Sequence, residues 1–324
     1  MITLSKIAKL ANVSVSTASK AFSGSNDINE ETRSLIFSVA KEYGVFKKFY
    51  KAKFPQLTVA VVVPEFSGDH YSSMLIEIQK QLEIRGCLMS VSAFDFSADN
   101  SSKIYDYYSK YTNVDGIIMI DAPTPLLDYL EIPTAILGKI IETQYTSSIC
   151  VDLQVSLTEA LVYFKERNVT SVGFISNSKA KSKRSAFINT MLDVYGLYDE
   201  RYIEITNTRF EESGYEALKR MIEKGSVPRA IICAYDDIAV GAMRCLSDHG
   251  FSVPDDVALI GFDNNKMSKY TVPSLTTVDL MHSKCAESLV NTVINKILSD
   301  PDDTPKVIRS ELRWRESSVI RNKL

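Results

Sequence analysis

Apolar positions along this chain follow two rhythms. Over the first 45 residues they recur at helical spacing in three short segments. From Thr58 onward, β-branched runs alternate with amphipathic stretches. In the first part, Thr3 or Ser5 can cap a helix running to about Ala11, with Ile7, Leu10 and Ala11 on its apolar face. Asn12-Val13-Ser14 breaks it, since Asn tolerates a left-handed turn and Ser14 can cap a new helix. That second helix, Val15 to Phe22, presents Ser16, Thr17, Ser19 and Lys20 outward. Ser23-Gly24-Ser25 ends it. Asn29 with Thr32 opens a third helix, whose Leu35, Ile36, Val39 and Ala40 close a small core. Three short helices with a tight turn between the first two form a helix-turn-helix unit. Its second helix is narrow enough for a major groove and rich in small hydrogen-bonding side chains. A plain three-helix bundle shares the same helical pattern.

The second part reads TVAVVV, a helix near 72–85, LMSVSA, a helix near 101–111 and GIIMI. It continues with SVGFIS, a helix near 183–195, YIEI, a helix near 213–224, AIICA, a helix near 237–249 and VALIGF. Buried parallel strands joined by helices produce this rhythm, in two blocks split near Ile149. The fold class is therefore α/β: an amino-terminal helix-turn-helix head and a body of two Rossmann-like parallel-sheet lobes. Ligands of open parallel sheets bind beyond the carboxyl ends of the strands.

Charge sharpens the division. The overall net charge is -3, but residues 1–54 carry nine Lys or Arg against four Asp or Glu, a net +5, which leaves -8 for the remainder. A basic head suits a polyanionic partner, although a charged solvated surface has the same composition. The other chemistry is negative. Cys87, Cys150, Cys233, Cys245 and Cys285 form no CxxC pair and read as ordinary thiols. His70, His249 and His282 show no HxxxH spacing, which argues against a metal hydrolase. No GxGxxG follows a strand and no GxSxG elbow occurs, so neither a dinucleotide enzyme nor a serine hydrolase is expected. The expectation is no catalysis and no cofactor. MITLSKIAKL lacks the apolar core of a signal peptide, and no segment is apolar enough to span a bilayer, so a cytoplasmic location is expected.

The stretch LSKIAKLANVSVSTASKAFSGSNDINEETRSLIFSVAKEYG resembles the head of LacI/GalR-type repressors, matching at Ile7, Ala8, Ala11, Val13, Ser14, Thr17, Ser19, Thr32 and Arg33. The resemblance implies that Val15, Ser16 and Lys20 occupy base-reading positions and that Ser14, Thr17 and Asn29 lie near phosphates. Lys20 stands where Arg is usual and lacks its bidentate fork; Ala18 replaces a Val. The connector VFKKFYKAKFPQL is shorter than the family's and lacks its Pro-Asn pair. Within it, Phe54 could serve as the minor-groove wedge, or the segment could be a solvated basic linker with its aromatics on the core.

The resemblance extends through VDGIIMI, ICVDLQVS, SGYEALKRM, DDIAVGAMRCLSDHGFSVPDDVALIGFDN, VPSLTTVDL and LRWRESS. It implies residues 1–45 as the DNA-binding domain, 46–57 as a degenerate hinge and 58–324 as a periplasmic-binding-protein-like effector domain. Lobe 1 then covers about 58–148 and 279–305, and lobe 2 about 149–278 and 306–324, with later crossings near Val278 and Lys306. Carried over residue by residue, Asp263 binds ligand hydroxyls, Lys183 and Tyr235 with Asp236 stand beside it, and His70, Tyr71 and Asp121 edge the cleft from the other lobe. Arg209 faces it too, or serves as a surface ion-pair partner. Tyr71 could equally be core, and Asp152 and Asp236 capping groups at strand ends. Lys183 with Arg209 suits a sugar acid or sugar phosphate; a neutral sugar fits the same positions. The implied partners are double-stranded operator DNA, that small effector and a second copy of the chain, as a homodimer or a tetramer. The implied role is a transcriptional regulator, by family habit a repressor. A protein docking on the first lobe is the alternative signal.

Overall fold

Local hydrogen bonds explain the head. The computed structural model describes residues 2–23, 25, 27–49, 57–123, 130–138 and 141–320. Helix α1 (Leu4–Leu10) starts where the Thr3 side chain accepts from the Lys6 N–H. Helix α2 (Val15–Phe22) starts where Ser14 accepts from Thr17, and α3 (Glu30–Glu42) where Asn29 accepts from Thr32. Each cap satisfies a donor that helix geometry leaves without a partner, worth about 1 kcal/mol. Between α1 and α2, Asn12 takes φ 53°, the left-handed conformation that reverses the chain.

Ile7, Ala8, Ala11, Ala18, Ala21, Phe22, Ile36 and Ala40 form the head's core. Leu10 and Leu35, expected inside, are 44% and 49% exposed. A core this small is filled by five alanines, two isoleucines and one phenylalanine, so the leucines on the neighbouring helical positions turn outward. The expected end of the head at residue 45 also falls short. A further turn, α4 (Phe46–Phe49), folds back so that Phe46 and Phe49 lie 6.1 and 5.8 Å from the Phe22 ring, with Phe46 also edge-on to Phe37 at 4.9 Å. The aromatics of the early connector thus belong to the head. Phe54, the expected wedge, lies outside the described residues.

The body holds two sheets of six strands. The first lobe begins with β1 (Thr58–Val63), α5 (Asp69–Ile84), β2 (Leu88–Ala93), α6 (Ala98–Asp106), β3 (Gly116–Ile120), β4 (Thr134–Leu137) and β5 (Thr146–Asp152). The chain then builds the second lobe from α7 (Gln154–Glu166), β6 (Val172–Asn177), α8 (Lys181–Tyr195), β7 (Ile203–Thr206), α9 (Phe210–Glu223), β8 (Ala230–Cys233), α10 (Asp236–Asp248), β9 (Ala258–Phe262) and β10 (Thr276–Asp279). It returns for α11 (His282–Leu298) and β11 (Val307–Arg309), and crosses again to β12 (Glu311–Arg313). The strand orders are β11-β5-β4-β3-β1-β2 and β12-β10-β9-β8-β6-β7. Every pairing is parallel except β10 with β12.

The crossings fall later than expected. Strand β5 continues past Ile149 to Asp152, because its last residues pair with β11: Cys150 with Val307 and Asp152 with Arg309. Residues 307–309 therefore belong to the first lobe, and the third crossing is at Ser310, not Lys306. There the Ser310 hydroxyl donates to the Asp152 carbonyl at 2.7 Å and meets the Ser156 hydroxyl at 2.8 Å, strapping two crossings together.

One packing contact in the second lobe fixes the site. Helices α9 and α10 approach so closely at Gly214 and Gly241 that a Cβ on either would lie 1.8 Å from a carbonyl oxygen, of Ile238 and Glu211 respectively. Both helices start at the lobe's cleft edge, so this contact sets where their first residues stand.

Candidate functional site

The carboxyl ends of both sheets face each other across a cleft, as open parallel sheets dictate. A pocket between them is lined by Glu65, His70 and Tyr71 from the first lobe. Asn177, Arg209, Phe210, Tyr235, Asp237 and Asp263 come from the second. It contains about 340 Å³ of space outside the atoms, part of it continuous with solvent. Backbone strain concentrates here: Asp121, Phe210, Asp263, Asn264 and Met281 have φ of 52°, 55°, 100°, 50° and 57°. Non-glycine residues persist in that region only where the surroundings over-determine them, which is common at ligand clamps.

Asp263 is the centre. Its carboxylate is 5% exposed and accepts from Lys183 Nζ at 2.9 Å. Lys183 donates also to the Ala234 carbonyl at 2.9 Å and lies 4.0 Å over the Tyr235 ring. From the other lobe, His70 Nδ1 stands 3.6 Å from the same carboxylate oxygen and 3.0 Å from His282 Nε2. Burial alone would raise the Asp263 carboxyl, but Lys183 and the two histidines hold it below the usual carboxylate range. Burial pushes the His70 imidazole down to about 3, against the pull of Asp263, and lowers His282 as well.

Two other predicted residues act in pairs. Tyr71 is buried, yet its hydroxyl donates to Asp121 Oδ2 at 3.0 Å, so it is both core and cleft wall. Asp121 itself stays accessible. Arg209 grips both oxygens of Glu65 across the cleft and lies 5.2 Å from the Phe96 ring and 4.8 Å from Phe210. It is a clamp between lobes and no mere surface partner. Its Nε is buried with no hydrogen-bond partner among the described residues.

Asp236 corrects the expectation. It is 1% exposed and fully engaged, accepting from the Asn265 N–H at 2.8 Å and the Thr277 hydroxyl at 2.6 Å. It braces β9 and β10 against α10 and does not reach the pocket; burial pushes its carboxyl up. Its neighbour Asp237 lines the cleft instead. Burial, with Asp69, Glu211 and Asp263 nearby, pushes Asp237 up to about 7. Asp152 caps a turn, accepting from the Gln154 N–H.

Lys183 and Arg209, the two cations behind the acidic-ligand expectation, each meet a carboxylate here, Asp263 and Glu65. Glu65, Asn177, Phe210, Asp237 and His282 escaped the sequence reading. All five stand at a strand end or at the start of the next helix, where the strand-end rule could have found them. His282 opens α11 just after β10, so the same rule reaches it.

The head presents a second surface. On α2, Val15, Ser16, Ser19 and Lys20 are exposed, and Lys20 reaches Asp27 at 3.2 Å. Ser14 and Thr17 share a hydroxyl contact of 2.8 Å at the helix start, and Asn29 sits at the start of α3. Helix N-termini offer free N–H groups and positive dipole ends, which favour phosphate.

Comparison with known proteins finds relatives of both the head and the body. The family model described as bacterial regulatory proteins, lacI family, matches residues 3–45, and that of the periplasmic binding protein-like domain matches 161–318. The chain is 23% identical to the HTH-type transcriptional regulator AscG of Escherichia coli (strain K12), over 98% of this chain and 99% of that one. It is 26% identical to the HTH-type transcriptional regulator GalR of Streptococcus thermophilus, over 98% and 100%. A solved structure described as a transcriptional regulator CelR-cellobiose complex shares the fold, with a TM-score of 0.70 at 22% identity over 98% of this chain and 100% of that one.

Proposed function

Since the chain belongs to the LacI family of DNA-binding transcriptional regulators, which are not enzymes, we propose that its effector is a neutral, hydroxyl-rich sugar and that it represses carbohydrate-utilisation genes. The observation that carries the ligand reading is the Asp263 carboxylate, held at the pocket by Lys183 at 2.9 Å. A carboxylate is an acceptor-only group suited to gripping two adjacent hydroxyls. Lys183 and Arg209 already pair with cleft carboxylates, Asp263 and Glu65, so a carboxylate or phosphate in the ligand would have to displace one of these partners, whereas sugar hydroxyls can join them. Asn177, with both donors and acceptors, and the buried Arg209 Nε supply the complementary groups. Cellobiose in the CelR complex is a ligand of this kind.

In this reading, Val15, Ser16, Ser19 and Lys20 meet base edges in the major groove, and Ser14, Thr17 and Asn29 meet phosphates. Two heads on a homodimer read a palindrome in the cytoplasm, and sugar changes their affinity by favouring one lobe arrangement over another. No helix of the described residues is long and apolar enough to cross a membrane.

The test is calorimetry of full-length protein with neutral mono- and disaccharides, uronates and phosphosugars. Saturable binding of a neutral sugar, lost in Asp263→Ala, is the expected result. Binding of acidic sugars alone would overturn the ligand class.

A further inference from the structure

We propose that the cleft is also a binding site for a divalent transition-metal ion, held by His70, His282 and Asp263, and that the ion ties the two lobes together. The donors come from three separate places: the start of α5, the start of α11 and the loop after β9. Their ligand atoms all lie within 4.8 Å of one another. His70 Nδ1 is 3.0 Å from His282 Nε2 and 3.6 Å from Asp263 Oδ1. A tetrahedral ion about 2.1 Å from each donor requires donors about 3.4 Å apart; the two spacings from His70 are close to this, and the third, His282 to Asp263, lies within 4.8 Å and must shorten as the ion binds.

The donor chemistry selects the ion. Two imidazoles and one carboxylate suit Zn²⁺, Ni²⁺ or Co²⁺, whereas Mg²⁺ and Ca²⁺ take all-oxygen sets. Three protein donors leave a tetrahedral ion one position for water or a sugar hydroxyl. Since two donors belong to the first lobe and one to the second, the ion would favour the closed arrangement.

Lys183 is the built-in competitor. Its ammonium occupies the same Asp263 oxygen at 2.9 Å, but it has a second acceptor in the Ala234 carbonyl and the Tyr235 ring beneath it. It can therefore yield that oxygen without losing all its partners. Affinity for the ion is set by this competition.

The ion would share its cleft with the proposed sugar, but its binding is measured without sugar or DNA, so either reading can fail alone. Chelator-stripped full-length protein is titrated calorimetrically with ZnCl₂, NiCl₂ and MgCl₂. One Zn²⁺ or Ni²⁺ per chain is expected, with no saturable Mg²⁺ binding. His282→Gln should weaken Zn²⁺ by more than the roughly 10–100-fold that a changed ligand surrounding costs. Lys183→Met should strengthen it. The visible spectrum of the Co²⁺-loaded wild type, which reports nitrogen ligation and coordination number, serves as an independent readout if a variant fails to fold. No saturable Zn²⁺ or Ni²⁺ binding by the wild type, undiminished binding by His282→Gln, or a Co²⁺ spectrum of thiolate ligation would each overturn the proposal.

Discussion

Asp236 and Asp237 are adjacent carboxylates with opposite fates. Asp236 is consumed by Asn265 and Thr277, while Asp237 faces the cleft and holds its proton to about pH 7. Burial is the main cause, and Asp69, Glu211 and Asp263 add to it. In the unfolded chain Asp237 ionises near pH 4, so between about pH 4 and 7 the folded state binds the extra proton. Its contribution to stability is therefore full below about pH 4 and is lost as pH rises toward 7. Asp237→Asn should flatten this slope and raise stability at pH 8 by on the order of 1–2 kcal/mol, after allowing for solvent screening in the cleft. Unfolding midpoints at pH 5 and pH 8 measure it; an unchanged slope would refute it. Lys20 offers a test in the head. Its exposed ion pair with Asp27 contributes little to stability, whereas a base contact is worth about 1–3 kcal/mol. Lys20→Ala should leave thermal stability nearly unchanged and weaken operator binding roughly 5- to 150-fold in a mobility-shift titration. At this scale the sequence was legible wherever a role depends on near neighbours. Thr3, Ser14 and Asn29 cap helices because each needs only the backbone N–H three residues on. Which of two neighbouring aspartates meets a ligand depends on loops 30 to 40 residues away, and the sequence carries no local mark of that.

Among the elements, α9 and α10 form the tightest contact with functional consequences. Gly241→Ala would drive a methyl into the Glu211 carbonyl, 1.8 Å from where it would stand. A clash with backbone cannot be relieved by a rotamer change, so the expected loss is about 3 kcal/mol or more. Because Arg209 and Tyr235 precede these helices, sugar affinity should fall with stability. Thermal unfolding of the variant alone and with sugar separates the two effects. Strands β1, β3, β8 and β9 were legible as continuous apolar runs, since a strand buried on both faces needs no alternation. Strands β11 and β12, with three residues each, carry too little pattern to read. The short α4 escaped for the same reason: four residues with two lysines look like a linker until Phe46 and Phe49 are seen against Phe22.

For the whole molecule, closure is the property that matters. Arg209 of one lobe clamps Glu65 of the other, and His70 faces Asp263 beside it. Arg209→Met removes the clamp and leaves Glu65 free to be solvated. The ligand-free protein should then spend more time open, with a larger radius of gyration in solution scattering and weaker sugar binding by roughly 5- to 150-fold, the usual range of such couplings. Equal scattering profiles for variant and wild type would argue against a clamp. The two-lobed plan itself was readable from the repeated strand–helix rhythm. Its crossings were placed a few residues early, because their position is set by β5 pairing with β11 across more than 150 residues of chain.

The same threading governs the order in which these pieces are synthesised. Helix α11 packs on strands β3, β4 and β5 of the first sheet, where Cys285, Ala286, Leu289, Val290 and Val293 share one core cluster with Ile118, Ala135, Leu137 and Ile149. A nascent chain therefore exposes a finished reader and most of the second lobe while this face of the first sheet is covered by α5 but not yet by α11. Messages cut short before residue 282 would yield products with an intact DNA-reading head on an incomplete body, prone to aggregate through the strands that α11 would cover.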